Sequence, residues 1–331
     1  MYNFCRKSLI RVDGSTLPTL YRWKGLKTSM LNRLFASVDN PWVPGRDEKE
    51  RIELDFSGSK FAISLPYNSV PDMLEDTRGT QFNIFDESAY DREQAEDPHR
   101  FLPHEKGWFP YLLALKRTFA FLGKPWRQSE LGTLSSVVHV VETKSMPDSM
   151  NCFIPNHCEQ AIMRYLYYMY GPGVVSTISQ VKKLTPVNWS VEHINGVDWS
   201  YFEIHHDFRG YIDAPGKDMT GSYRTHFVTP LDNKRLLMVI FILINHESSD
   251  DVSPSMLSLM RELSATMLLE HSPSAASQLE RIRQKHPSVA GESQRQPEDW
   301  LYPRMKRGEK KLNEPRWVVL EEGSPPPEWR P

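Results

Sequence analysis

The residues of this 331-residue chain best suited to chemistry are histidines spread along one stretch of alternating sequence. They are His193, His205, His206, His226 and His246. If the stretch folds into neighbouring antiparallel strands, His205 and His226 could reach one metal ion, and Glu203 shares the face of His205. Such a cluster would support zinc binding or acid–base catalysis. The competing interpretation is a set of surface and core histidines, because their spacing matches no known ligand pattern.

The three cysteines, Cys5, Cys152 and Cys158, form neither a disulfide framework nor a zinc-binding spacing. Cys158 falls in the first turn of a predicted helix, where the helix N-terminus can lower a thiol pKa. A buried, inert cysteine is the competing interpretation. The sequence also lacks a nucleophile elbow, a phosphate loop, a dinucleotide-binding glycine motif and a paired-histidine zinc motif. We therefore expect no cofactor, and we favour a protein without catalytic activity over an enzyme.

The elements that would position the histidines lie between residues 187 and 270. Alternation predicts two strands around the turn Asn195-Gly196, which tolerates positive φ at both positions. Two more strands follow at 222–231 and 235–245, and the second is apolar throughout, which indicates burial on both faces. Ser253 is the predicted N-cap of a helix whose first residue is Pro254, and this helix closes the unit. The pattern predicts an α+β fold, with antiparallel sheets and helices packed on one face.

The whole chain divides into four predicted regions. Residues 1–49 form a basic N-terminal arm. Residues 50–150 form an α+β module with a hairpin at 50–66, an acidic insertion at 72–105, an apolar helix or strand pair at 108–122 and a strand at 131–142. In this last strand His139 shares the face of Val137 and Val141, so we predict a core histidine. Residues 151–270 form a second α+β module that begins with a helix at 155–171. Whether the two modules are similar to each other stays open. Residues 271–331 hold nine of the 25 prolines, so we expect an extended or disordered tail.

The charge balance excludes one class of partner. With 40 Lys and Arg against 42 Asp and Glu, the chain lacks the basic excess that general nucleic-acid binding requires. The longest apolar run, Leu236–Ile244, has nine residues and is too short to span a membrane as a helix. The N-terminus shows no secretory signal, so we expect a cytoplasmic protein without a transmembrane segment.

Two sets of residues are candidates for protein binding. Aromatic side chains on the predicted sheet would dominate an interface if they face solvent, and acidic side chains of the insertion would attract a partner with basic patches. The aromatic set is Trp189, Trp199, Tyr201 and Tyr223, and the acidic set is Asp86, Glu87, Asp91 and Glu93. The competing interpretations are aromatic residues of the core and a solvated acidic loop.

A family resemblance is carried by the segment Asn195-Gly196-Val197-Asp198-Trp199, the strands that follow it to residue 244, and the closing helix. This half resembles PsbP-like bacterial domains, and the segment 61–66 (FAISLP) resembles their opening strand. Such domains include chaperone and immunity-type proteins linked to type VI secretion, some with two modules. The resemblance implies protein binding without catalysis.

From these patterns we expect a non-enzymatic protein-interaction protein. It would be an immunity or chaperone-type partner of a bacterial secreted effector, acting by binding or occlusion. The alternative is a metal-assisted or histidine-based enzyme that uses the sheet at 187–246. A third interpretation is a structural subunit that docks through its tail.

Overall fold

A computed structural model describes twelve stretches of the chain. They are residues 33–70, 76–77, 79–90, 109–126, 130–170, 182–183, 186–207, 223–246, 252–286, 304–305, 317–318 and 329–330. The basic arm up to residue 32, the candidates Asp91 and Glu93, and most of the predicted tail lie outside these residues.

A hairpin begins the first sheet, as the sequence predicts. Strand β1 (Glu50–Phe56) pairs antiparallel with β2 (Ser59–Leu65), and Ser57 and Gly58 turn the chain with φ of 53° and 93°. The short strand Gln81–Phe82 lies parallel to β1. A later strand, Leu268–Glu270, pairs antiparallel with β2 and completes a mixed four-stranded sheet.

The second sheet contains six long antiparallel strands. In chain order they are β3 (Tyr111–Phe121), β4 (Gly132–Glu142), β5 (Val187–Ile194), β6 (Val197–Asp207), β7 (Tyr223–Pro230) and β8 (Arg235–Asn245). In space the order is β3-β4-β8-β7-β6-β5, and the two-residue strands Asp76–Thr77 and Lys182–Lys183 pair with β3 and β6. Leu268–Glu270 in the first sheet is β9. The predicted strands at 131–142 and 187–245 are confirmed.

The pairing of β4 with β8 joins the two regions that the sequence interpretation separates at residue 150. The pairs run from Arg235 opposite Glu142 to Asn245 opposite Gly132, over the full length of both strands. Strands from 50–150 and from 151–270 therefore form one continuous sheet. The segment 108–122, for which the sequence allowed a helix or a strand pair, contributes the single strand β3.

Three α-helices are described: α1 (Pro155–Tyr170), α2 (Ser253–Ser264) and α3 (Pro273–Lys285). The first two are predicted correctly, although Val252, not Ser253, occupies the N-cap of α2. Helix α3 corrects the expectation that the chain is extended from residue 271. Its start is fixed locally, because the Ser272 hydroxyl accepts a hydrogen bond from the Ala275 N–H at 3.3 Å and Pro273 supplies a preset φ.

The helices lie on both faces of the large sheet, which corrects the expectation of packing on one face. Alternate residues of β8 point to opposite sides. One side packs against the first sheet and α2, through residues such as Val239, Phe61 and Met256. The other side packs against α1, where Met238 contacts the cluster that contains Ile162. The sheet therefore separates two apolar cores.

Helix α1 also holds the last described residues of the chain. The side-chain amide of Gln160 donates to the Arg330 carbonyl at 3.0 Å and accepts from the Arg330 N–H at 2.9 Å. The Arg164 guanidinium lies 4.4 Å from the centre of the Trp329 ring, a cation–π contact. Part of the predicted tail therefore docks on α1, at a tryptophan that the sequence interpretation did not select.

Trp199, one of the predicted binding aromatics, is fully buried in the core between the sheets. Its ring meets the ring of Phe61 edge-on, with centroids 6.2 Å apart. Replacement of a buried aromatic residue by alanine removes a large apolar contact surface and leaves a cavity. The stability of both sheets together therefore depends on this side chain.

We expect Trp199→Ala to lower the free energy of unfolding by about 3–5 kcal/mol, measured by urea denaturation. The matched control is Trp126→Ala, because Trp126 is 67% exposed, and this change should stay within about 0.5 kcal/mol of wild type. Equal effects of the two substitutions would contradict the placement of Trp199 in the core.

Candidate binding cavity

A cavity of about 320 Å³ lies on the α1 side of the large sheet, between its edge and α3. Its floor is a row of side chains from three neighbouring strands. Val191 of β5 lies opposite Ser200 of β6, and Ser200 lies opposite Val228 of β7, so all three point to the same face. The turn Asn195-Gly196 closes one end of the floor, with the positive φ values expected from the sequence.

Two helices form the walls. The start of α1 contributes Pro155, Cys158 and Glu159. Helix α3 contributes Leu279, Ile282 and Arg283, and His286 follows as its C-cap residue. The α3 residues recur at helical spacing, so one stripe of this helix faces the cavity. His271, just before α3, adds a ring that meets Phe153 edge-on at 5.7 Å. The cavity therefore combines apolar and polar side chains, with titratable groups along the α1 and α3 walls.

The two cysteines in the wall are not activated. Burial raises the pKa of Cys152 to about 12, and burial with the neighbouring Cys152 and Glu159 raises the pKa of Cys158 well above its ordinary value. Burial therefore outweighs the helix N-terminus, which alone would lower the thiol pKa. The buried position predicted for Cys158 is confirmed, since the residue is 5% exposed, and its lack of reactivity stays a prediction.

Two histidines at or near the cavity, His271 and His157, have lowered pKa values, which favour the neutral imidazole. Burial and the charge of Arg283 lower the pKa of His271, and burial and His286 lower the pKa of His157. The Nδ1 atom of His157 accepts a hydrogen bond from the Asn151 N–H at 3.1 Å, which fixes the ring. On the opposite wall Asp198 pairs with His193 at 2.8 Å. Burial is the larger cause in both cases, so the rings of His271 and His157 favour their neutral form.

The strand register separates the residues of the predicted metal cluster. Glu203 lies opposite Thr225, so His226, the next residue, points to the other face of the sheet. The carboxylate of Glu203 accepts from the Tyr201 hydroxyl at 2.7 Å and from Asn188 at 3.0 Å. His205 lies opposite Tyr223, and the side chains of both are outside the description. Within the described chain, no three His, Cys, Asp or Glu side chains group as metal ligands do.

The predicted aromatic platform is also divided between the two faces. Trp189 and His226 stack on opposite sides of Phe202, with ring centroids 4.7 Å and 4.8 Å from it, on the α1 face. Tyr201 packs on Phe227 at 5.1 Å and borders the other core, next to the buried Trp199. These aromatic residues therefore contribute to two separate layers.

The acidic candidates Asp86 and Glu87 have local roles in the structure. Asp86 accepts hydrogen bonds from the backbone N–H and hydroxyl of Ser88, and these bonds lower its pKa. Glu87 forms an ion pair with Lys144 at 3.2 Å and is 67% exposed. The nearby Ile84 and Tyr90 are buried, so this part of the acidic insertion is anchored to the fold.

Sequence reasoning missed the cavity because one wall belongs to the region interpreted as a tail. A local signal for that wall is present, since Ser272 and Pro273 form a helix start and Leu279, Ile282 and His286 follow at helical spacing. No local sequence pattern predicts that this helix packs beside β5 and β6, because that contact is made between residues far apart in the chain.

Comparison with known proteins leaves the chain without an assigned family. A scan against protein-family models found no match, and a search among curated proteins found none either. No helix in the described part of the chain is both long and apolar enough to cross a membrane. The resemblance to PsbP-like domains stays a prediction.

We expect Cys152 and Cys158 to be inert towards thiol reagents in the folded protein. With a pKa of about 12, only about one Cys152 thiol in ten thousand is ionised at pH 8. The measurement is reaction with a chromogenic disulfide in the Cys5→Ser variant, before and after unfolding in urea. Two thiols should react only after unfolding, and rapid reaction of either thiol in the native protein would contradict the assignment.

His139, predicted as a core histidine, is buried beside Tyr165, whose hydroxyl lies 3.5 Å from its Nε2. Burial and Arg224 lower its pKa to about 4. Because the unfolded state binds this proton more tightly, the contribution of His139 to stability is complete above pH 6.5 and falls as the pH approaches 4.

We expect the unfolding free energy of wild type to fall about 2 kcal/mol more than that of His139→Gln between pH 7.5 and pH 5. The measurement is urea denaturation of both proteins at the two pH values. Comparing the pH dependence of the two proteins removes any constant loss of stability in the variant. Parallel pH profiles would contradict the lowered pKa.

Proposed function

We propose that the chain is a non-enzymatic protein-interaction protein that binds an extended segment of its partner beside β5, with one side chain in the cavity. The observation that carries the proposal is the junction of the cavity with a sheet edge. Val191 lies in the cavity floor and belongs to β5, which pairs only with β6 among the described residues. A strand added to such an edge gains backbone hydrogen bonds, and a neighbouring pocket selects its side chain.

The size and lining of the cavity suit one anchoring side chain. A volume of about 320 Å³ lies at the lower end of the range for small-molecule sites. The interior offers Val191, Val228 and Leu269, while Ser200 and Thr229 add polar groups. Apolar anchors surrounded by polar groups are typical of the centre of a protein interface.

The chemistry of the wall favours binding over catalysis. Both thiols have raised pKa values, so neither provides a thiolate near neutral pH. The register also sets Glu203 and His226 on opposite faces, which counts against the alternative of a metal-assisted enzyme built on this sheet. The identity of the partner as a bacterial secreted effector rests on the PsbP-like resemblance alone and stays a prediction.

The test compares two adjacent substitutions on β5. Val191→Phe fills the cavity, whereas Glu192→Phe places the same side chain on the opposite, exposed face and serves as the matched control. Each full-length protein is used to capture partners from a lysate of the source cells, and stoichiometric partners are identified by mass spectrometry. We expect wild type and Glu192→Phe to retain a partner that Val191→Phe loses.

Two results would contradict the proposal. One is the absence of any stoichiometric partner of the wild-type protein. The other is a partner that Val191→Phe retains as well as the control does. Circular dichroism spectra and urea midpoints of both variants establish that each is folded, so a loss of binding reports on the cavity.

A further inference from the structure

The cavity has an uneven distribution of charge. Its α3 side carries Arg283 in the last turn of the helix, His286 at the C-cap three residues later, and His271 just before the start of the helix. Among the described residues, the Arg283 side chain has no hydrogen bond or ion pair, and the buried Nδ1 of His271 has no hydrogen-bond partner. The α3 wall therefore offers one cationic group and two titratable rings that no described acid neutralises.

The two acidic residues of the lining, Asp198 and Glu159, do not lie on the α3 side. Asp198, at the hairpin end of the floor, is engaged with His193 at 2.8 Å. Glu159 lies in the α1 wall and is 6% exposed, so it presents little surface to a ligand. A carboxylate that enters the cavity would therefore find the Arg283 guanidinium on the α3 side, and its attached apolar group would meet Val191 and Val228 on the floor.

The electrostatic effects among these groups agree with this distribution. Burial lowers the pKa of His271, and Arg283 lies close enough to lower it further. Burial and, second to it, His286 lower the pKa of His157 in the same direction. Groups of like charge that disfavour one another are relieved when an anion binds between them. Ionised hydrogen bonds from a guanidinium to a carboxylate are also stronger than bonds between neutral groups.

We propose that the cavity selects a peptide group in which a carboxylate adjoins an apolar side chain, with the carboxylate bound by Arg283 and flanked by His271 and His286. The apolar side chain would rest on the row of Val191, Ser200 and Val228. This inference rests on the proposed function, because it names the chemistry of the partner segment that the same cavity accepts. The carboxylate belongs either to an acidic side chain or to a chain terminus.

The test uses matched pairs of probes that differ only in the charged group. N-acetylphenylalanine and its amide represent a chain terminus, and acetyl-Phe-Glu-amide and acetyl-Phe-Gln-amide represent an acidic side chain. Binding to the full-length protein is followed by ¹⁵N chemical-shift titration. We expect at least one acid to bind about tenfold more tightly than its matched amide, and the pair that shows this preference identifies the source of the carboxylate.

Two variants assign the preference to the α3 wall. Arg283→Gln should reduce the ratio between acid and amide to near one. Arg281→Gln is the matched control, because Arg281 is exposed on the same helix, bonds to the Ser277 carbonyl and does not line the cavity. This control should keep the wild-type ratio, and both exposed substitutions should leave the spectrum of the folded protein unchanged.

The outcomes separate the inference from the proposed function. Equal binding of acids and amides, no binding of any probe, or an equal effect of the two arginine substitutions would overturn the inference. If a partner is nevertheless captured and Val191→Phe abolishes that capture, the proposed function stands without the inferred charge selectivity. If the capture is also insensitive to Val191→Phe, both fail.

Discussion

The pairing of β4 with β8 is the constraint on which the rest of the structure depends. These strands lie at the centre of the large sheet and are covered on both faces, so their backbone groups must be satisfied by each other and by β3 and β7. A shift of one residue would move Met238 and Val239 to the wrong cores. Because β8 is apolar on both faces, it supplies side chains to both cores, and the fit of individual side chains such as these two distinguishes the register.

The same register decides which side chains can act together. It sets Val191, Ser200 and Val228 side by side over three strands, where they form a continuous floor. It also places Glu203 and His226 on opposite faces, although the two residues are close along neighbouring strands. The alternation of side chains along each strand thus brings the three floor residues together. It also separates the metal cluster that the residue types alone suggest.

Much of the local structure could be predicted from the sequence, because its causes are local. The turn at Asn195 and Gly196 follows from their tolerance of positive φ, and the helix α2 follows from Pro254 and the buried stripe of Met256, Met260 and Leu263. The pairing of β4 with β8 could not be predicted, because the two strands are about 100 residues apart and neither sequence contains a local pattern that specifies its neighbour in the sheet.

The candidate site shows the same division. Alternation correctly placed Trp189 and Trp199 in strands, yet it could not state that one stacks on Phe202 while the other fills the opposite core. A high proline content suggested an extended chain after residue 270, although the Ser272 cap and Pro273 begin a helix there. The composition of residues 271–331 is an average over the whole segment, so it did not reveal the short helix α3 and the capping residues at its start.

Helix α3 has a consequence for the dynamics of the molecule. Ala275 is its one fully buried residue, so little apolar surface holds the helix against the sheet. An element with so few buried contacts opens at a small fraction of the global unfolding free energy, and its amide hydrogens exchange with solvent accordingly. A ligand seated under α3 adds contacts that the open helix lacks, so occupancy of the cavity and ordering of this helix are thermodynamically linked. The wall to which we assign the choice of partner is thus also the part of the fold whose protection from exchange would report that a partner is bound.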